Sequence, residues 1–96
     1  MKPKIYFPKG TYIIMVFETL NRLKWTGRLA DAEIVFIHRG AENDRKTISG
    51  GKITSLKRPH FYYKDNARET HIPNHRVLEI RLDGRLLWKK RSISKG

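Results

Sequence analysis

The chain contains no cysteine. Disulfides, thiolate metal sites and cysteine nucleophiles are therefore excluded, and a domain that dispenses with disulfides fits a reducing interior. No apolar run approaches the roughly 20 residues needed to span a bilayer; the longest, Tyr12 to Phe17, is far shorter. The opening residues, MKPKIYFPKG, hold lysines but no apolar core followed by a small-residue cleavage site. These absences lead to the expectation of a soluble, cytoplasmic protein. Acidic residues are scarce, 9 against 21 lysines and arginines, for a formal net charge of +12 on 96 residues. A chain of this length makes one domain with one modest core. So much basic charge on it favours polyanionic partners, nucleic acid above all. A membrane surface is disfavoured, because the one amphipathic helix candidate lacks the basic face it would need.

What is present reads as short elements. Residues 1–10 hold two prolines and three lysines, which suggests an arm or a short edge strand at Ile5–Phe7. Thr11 can cap a helix running to about Lys24, because Ile13, Val16, Phe17, Leu20 and Leu23 recur at helical spacing. Phe17, Leu20 and Trp25 are expected in the core, and Gly27 ends the pattern. Residues 33–38 read as a strand and 38–44 as a loop. Residues 46–54 suggest a tight hairpin about Gly50-Gly51, a pair that could alternatively cradle a phosphate. One or two strands fit residues 53–63 around Pro59, and 64–70 read as a polar loop. Two further strands flank Asp83-Gly84, a strong hairpin signal. Residues 92–96 are expected to fray. The chain is thus expected to be a single α+β domain over residues 1–96. One main N-terminal helix would pack on a curved antiparallel sheet of about five or six short strands.

The entrance to the last hairpin is unusual. Residues 71–76 hold His71, Pro73, His75 and Arg76. With a two-residue turn at Asp83-Gly84, Leu82 faces Arg85, Ile80 faces Leu87, Glu79 faces Trp88, and Arg76 faces Arg91. Apolar residues then lie on both faces, which points to a central, partly buried hairpin. Like charges directly opposite repel, so either the strands fray there or an anion sits between the two guanidinium forks. A bulge would undo that pairing. Pro73 stiffens the approach to the strand, and His75 can donate to phosphate or exchange protons near neutral pH. His38-Arg39-Gly40 repeats the His-Arg pair at another strand end. His71 and His75 have zinc-like spacing only on a helix, which Pro73 and the following strand spoil. No metal and no cofactor are expected.

The segments LNRLKW (20–25), HRG (38–40), IPNHR (72–76) and DGRLLWKKR (83–91), in this order and spacing, resemble a small, largely archaeal family labelled the RNA cyclic group end recognition domain. The resemblance covers roughly residues 13–93. It carries over Asn21, Trp25, Arg39, Gly40, Pro73, His75, Arg76, Trp88 and Arg91. Asn74 departs from it, standing where the family usually has a tyrosine and so removing a ring that could stack on a base or pack the corner. The resemblance implies recognition of RNA termini that carry a 2′,3′-cyclic phosphate.

Three functions follow as expectations. The first is an RNA-binding domain for phosphorylated or cyclic-phosphate 3′ ends, working with other proteins of RNA processing or repair. Arg39, Gly40, Arg76 and Arg91 would contact phosphate, and His75 would donate a hydrogen bond. Tyr62, Tyr63 or Phe61 would stack on bases, and Lys89 and Lys90 would add salt-dependent affinity. The second is a cyclic phosphodiesterase or small ribonuclease with His75 and His38 as acid and base. The third is a basic docking subunit of a larger ribonucleoprotein complex. Binding is preferred over catalysis, because no motif fixes two histidines across a phosphate and no carboxylate is placed to orient one.

Overall fold

A computed structural model describes residues 9–90. The expected strand at Ile5–Phe7, the tail 92–96 and Arg91 lie outside the described residues. Helix α1 spans Lys9–Trp25, so Lys9 and Gly10 belong to the helix and not to an arm. Val16, Leu20 and Leu23 form its buried stripe, as their spacing requires. It closes with Arg28 N–H on Leu23 O (2.9 Å) and Gly27 N–H on Lys24 O (3.2 Å), with Gly27 at φ +74°. These are the two bonds of a Schellman cap, which needs a left-handed residue at that point. Trp25, expected in the core, is 80% exposed. It lies about 140° around the helix from Leu20, off the buried stripe.

Among the described residues seven strands follow: β1 (Ala32–Ile37), β2 (Arg45–Ser49), β3 (Ile53–Leu56), β4 (His60–Asp65), β5 (Arg68–Pro73), β6 (Val77–Leu82) and β7 (Arg85–Lys89). They form two antiparallel sheets, ordered β2-β1-β6-β7 and β3-β4-β5, which replaces the expected single curved sheet. α1, β1, β2, β4, β5 and β6 all contribute to one core, built around Leu20, Ile34, Phe36, Phe61, Tyr63, Val77 and Ile80. Among the described residues, no helix is long and apolar enough to cross a membrane.

Two features account for the second sheet. Gly50-Gly51 does not turn a hairpin. With Lys52 it forms a 3-10 turn that carries the chain from β2 in one sheet to β3 in the other. Gly50 is buried there, and a Cβ on it would lie 2.2 Å from Leu29 O. The glycine permits close approach of two backbones. Second, the expected loop at 64–70 is a hairpin. β4 and β5 pair from His60↔Pro73 to Asp65↔Arg68 through a two-residue turn at Asn66 (φ 57°) and Ala67 (φ 70°). Both positions are left-handed, as a type I′ turn demands.

Asp65 ties the sheets together. Its carboxylate lies 3.5 Å from Lys46 Nζ of β2 and 3.3 Å from Lys52 Nζ. Lys52, and behind it Lys46, hold the carboxyl below its ordinary value. A depressed carboxyl stabilises the fold above its unfolded-state pKa, and that contribution is lost as pH falls through the folded-state value. Asp65→Asn should therefore melt below the parent near pH 6 and together with it near ~pH 2, the difference being small because the pair is solvent-exposed. Thermal midpoints at the two pH values check this, and a gap that persists in acid would contradict it.

The Asp83-Gly84 hairpin forms as expected at its tip, where Leu82 faces Arg85 and both turn residues have positive φ. Further down, Arg81 faces Leu86 but Ile80 faces Trp88. Leu87 is thus the extra residue of a bulge, and the register slips by one. Glu79 faces Lys89, and Arg76 lies in a 3-10 turn, Asn74–Arg76, before the strand begins. The expected Arg76–Arg91 pairing is undone on the Arg76 side. The expected central position holds for β6 alone. β7 is an edge strand, with Leu86 52% and Leu87 47% exposed.

Candidate functional site

The pairing of β1 with β6 sets Phe36 opposite Val77. His38-Arg39 leaves the end of β1, and His75-Arg76 enters the start of β6. Antiparallel geometry therefore brings the two His-Arg pairs to the same end of the sheet on neighbouring strands. The outer strands add to it. β2 begins here, with Arg45 opposite Ile37 and Lys46 opposite Phe36. β7 ends here, with Lys89 opposite Glu79 and the Lys90 N–H on Leu78 O at 2.8 Å. Every strand of the four-stranded sheet thus contributes basic residues at one end. The opposite end holds Asp31 and Asp83, both paired to Arg28. Acid is present on the basic side as well. The loop after Arg39 carries Glu42 and Asp44, and Asp44 Oδ1 accepts the Gly40 N–H at 3.3 Å.

The side chains at this end differ in freedom. Arg39 and Arg76 are exposed, and among the described residues the ion pairs fall on Arg28, Lys46, Lys52 and Arg81 and not on these two. Lys89 is exposed too. Lys90 is engaged structurally: its Nζ donates to His75 O at 2.8 Å and stands 5.7 Å from the Tyr12 ring centre. His75 is half-buried. His38 is half-buried with its ring edge-on to Phe36 at 6.3 Å. Gly40 is exposed at φ +95°.

The corner that carries His75-Arg76 is braced from inside. Asn74 is fully buried. Its Nδ2 donates to Lys57 O (3.2 Å) and Arg58 O (2.8 Å), and its N–H donates to Pro59 O (2.9 Å). Its Oδ1 is buried with no hydrogen-bond partner among the described residues. The position faces the interior, so it offers nothing to a base. The neighbouring Arg58 guanidinium lies 6.0 Å from the Phe17 ring centre, holding the 57–59 turn against α1.

The expected stacking residues separate. Tyr63 is 2% exposed and Phe61 fully buried. Both pack with Phe36 in the core, so neither can receive a base. Tyr62 points the other way, as strand alternation requires, and is half-exposed beside His60 and His71. His60 was invisible to sequence reasoning, because its place depends on a hairpin whose turn lacks glycine. His71 belongs to this face. Among the described residues, no group of three or more His, Cys, Asp or Glu side chains could hold a metal ion. Of the remaining family positions, Asn21, Pro73 and Trp88 are half-buried, and Trp25 stands at the far end of α1 from the basic corner.

The family model described as MJ1316 RNA cyclic group end recognition domain matches residues 15–90. The chain is 41% identical to the UPF0248 protein MJ1316 of Methanocaldococcus jannaschii over 83 residues, 82% of this chain and 98% of that protein. It is 41% identical to a UPF0248 protein of Methanococcus maripaludis strain C6, over 80% of this chain and all of that protein. It is 33% identical to one from Pyrobaculum islandicum, over 77% of this chain and 87% of that protein. No solved structure matches. Family model and relatives each cover more than three quarters of the chain, and the chain belongs to the family of the MJ1316 RNA cyclic group end recognition domain.

Proposed function

We propose that this protein binds RNA 3′ ends that carry a phosphate, the 2′,3′-cyclic form above all, and serves RNA processing or repair in that role. The observation that carries the reading is the β1–β6 register. It sets His38-Arg39 and His75-Arg76 on adjacent strand ends, with Arg39 and Arg76 exposed and engaged by no carboxylate among the described residues. A cyclic phosphate presents two free oxygens and one negative charge, which suits a planar guanidinium fork. His75 adds a neutral or cationic donor. Lys89 adds affinity that any phosphate backbone shares and that salt screens. The family's description points to the same ligand.

The test is a titration of one labelled RNA prepared with three ends: 2′,3′-cyclic phosphate, 3′-phosphate and 3′-hydroxyl. The cyclic end should bind tightest and be recovered unchanged. Arg39→Ala and Arg76→Ala should each weaken binding of that end by about 1.5–3 kcal/mol, the contribution of a hydrogen bond to a charged group. Each should weaken the hydroxyl end far less. Equal affinity for all three ends would refute end recognition, and conversion of the cyclic end would make the protein an enzyme.

A further inference from the structure

The open face of the three-stranded sheet carries three rings in mutual contact. Phe61, Tyr63 and Ile72 point into the core, so alternation along β4 and β5 sends His60, Tyr62 and His71 to the other face. Tyr62 and His71 are direct cross-strand partners. Ring centres lie 4.4 Å apart for His60–His71, 5.3 Å for His60–Tyr62 and 5.3 Å for Tyr62–His71, at interplanar angles of 62°, 87° and 55°. Cross-strand ring pairs stabilise a sheet, which explains part of the arrangement. It does not explain why the rings are polar and stand on the solvent side of the sheet. Lys64 shares the face two residues beyond Tyr62, opposite Glu69, while the Arg58 guanidinium is turned towards Phe17 of α1.

The rings are not placed for other chemistry. His60 and His71 touch, which leaves no room between them for a phosphorus centre and its oxygens. The carboxylate nearest along β5, Glu69, accepts the Thr54 hydroxyl at 2.6 Å. The connection to the basic end is covalent and short. β5 runs from His71 through Pro73 straight into the Asn74–Arg76 turn, at most about 18 Å of backbone from His71 to Arg76.

We infer that His60, Tyr62 and His71 form a stacking platform for the bases of single-stranded RNA just upstream of the bound 3′ end. The inference rests on the basic end as the phosphate seat and adds to it the strand's path. Bases stack on such rings with little sequence preference, because every base has a π-face. The protein would thus read the terminus by its phosphate and hold the adjoining nucleotides by their faces.

The experiment compares two ligands with the same cyclic end: a mononucleoside 2′,3′-cyclic phosphate and a short oligonucleotide with 2-aminopurine next to its terminus. Tyr62→Ala should lower oligonucleotide affinity about ten-fold, within the range for one stacked base. It should also abolish 2-aminopurine quenching and leave the mononucleotide and the ranking of the three ends unchanged. Tyr62→Phe, which keeps the ring, should behave as the parent, and His71→Ala should follow Tyr62→Ala in direction. If both ligands respond alike, or the alanine variants of Tyr62 and His71 are silent, the platform is overturned while end preference in the parent still stands. If the parent shows no end preference yet loses oligonucleotide affinity on Tyr62→Ala, the platform stands and end recognition falls.

Discussion

Asn74→Asp should cost at least about 3 kcal/mol of folding stability. The substitution changes almost no volume, so packing is not the cause. The amide Nδ2 donates to two backbone carbonyls, Lys57 O and Arg58 O, from a fully buried position. A carboxylate there would face both oxygens with an acceptor. Burial would force it to protonate, and it would then return one donor at most. Leaving one or two of these part-buried carbonyls unpaired costs about 1–3 kcal/mol each, and the lost ionisation of the buried carboxyl adds to that. Against a typical stability of about 5–15 kcal/mol, the loss would pull the urea midpoint down sharply. A midpoint shift worth less than about 1 kcal/mol would mean that solvent, and not Asn74, satisfies the 57–58 carbonyls.

Gly50→Ala should cost about 3 kcal/mol, the upper part of the range for overpacking a closed site. The new Cβ would stand 2.2 Å from Leu29 O and 3.0 Å from Leu29 Cδ1. The first contact is with backbone, which cannot rotate away. Either the Leu29–Asp31 turn or the Gly50–Lys52 turn must retreat, and the Ser49 Oγ bond to Ala30 O (3.3 Å) links the two. Gly51→Ala is the matched control. Its Cβ meets Ala30 and Ser49 at 3.5 Å, an ordinary contact, so it should be close to neutral. Equal losses in the two variants would trace the effect to backbone conformation and not to the collision.

The sequence was legible where local chemistry decides structure. The 16-20-23 stripe gave α1, Gly27 its end, and Asp83-Gly84 the last hairpin. For the candidate site, pattern marked two His-Arg pairs at strand ends, and the β1–β6 pairing, which pattern does not reveal, brings them to one end of the sheet. What failed depended on partners remote in the chain. Gly50-Gly51 carries a hairpin's composition, yet the close approach of Leu29 decides its role. Asn66-Ala67 turns a hairpin without the glycine that marks one. The bulge at Leu87 leaves no trace in the DGRLLWKK segment, and it moved every pairing below it. Tyr62 and Tyr63 are the same residue type, and period-two alternation guarantees opposite faces. Which of them faces out is fixed only by the β4 partners. Trp25 is a different case, since the helical wheel alone places it off the buried stripe.

The strand order also has a consequence for how the molecule comes into being. The chain leaves the four-stranded sheet after β2, builds β3, β4 and β5 as a meander of sequence neighbours, and returns only with β6. Meander pairings close small loops at little entropic cost, whereas β1–β6, with Ala32 opposite Leu82, closes a loop over half the chain. Contacts of that kind form late. A partly folded chain can therefore already display the His60–Tyr62–His71 face while Arg39 and Arg76 are still far apart. The basic end exists only once the last long-range pairing has closed, and RNA that grips both pairs would act as a clasp on that closing step.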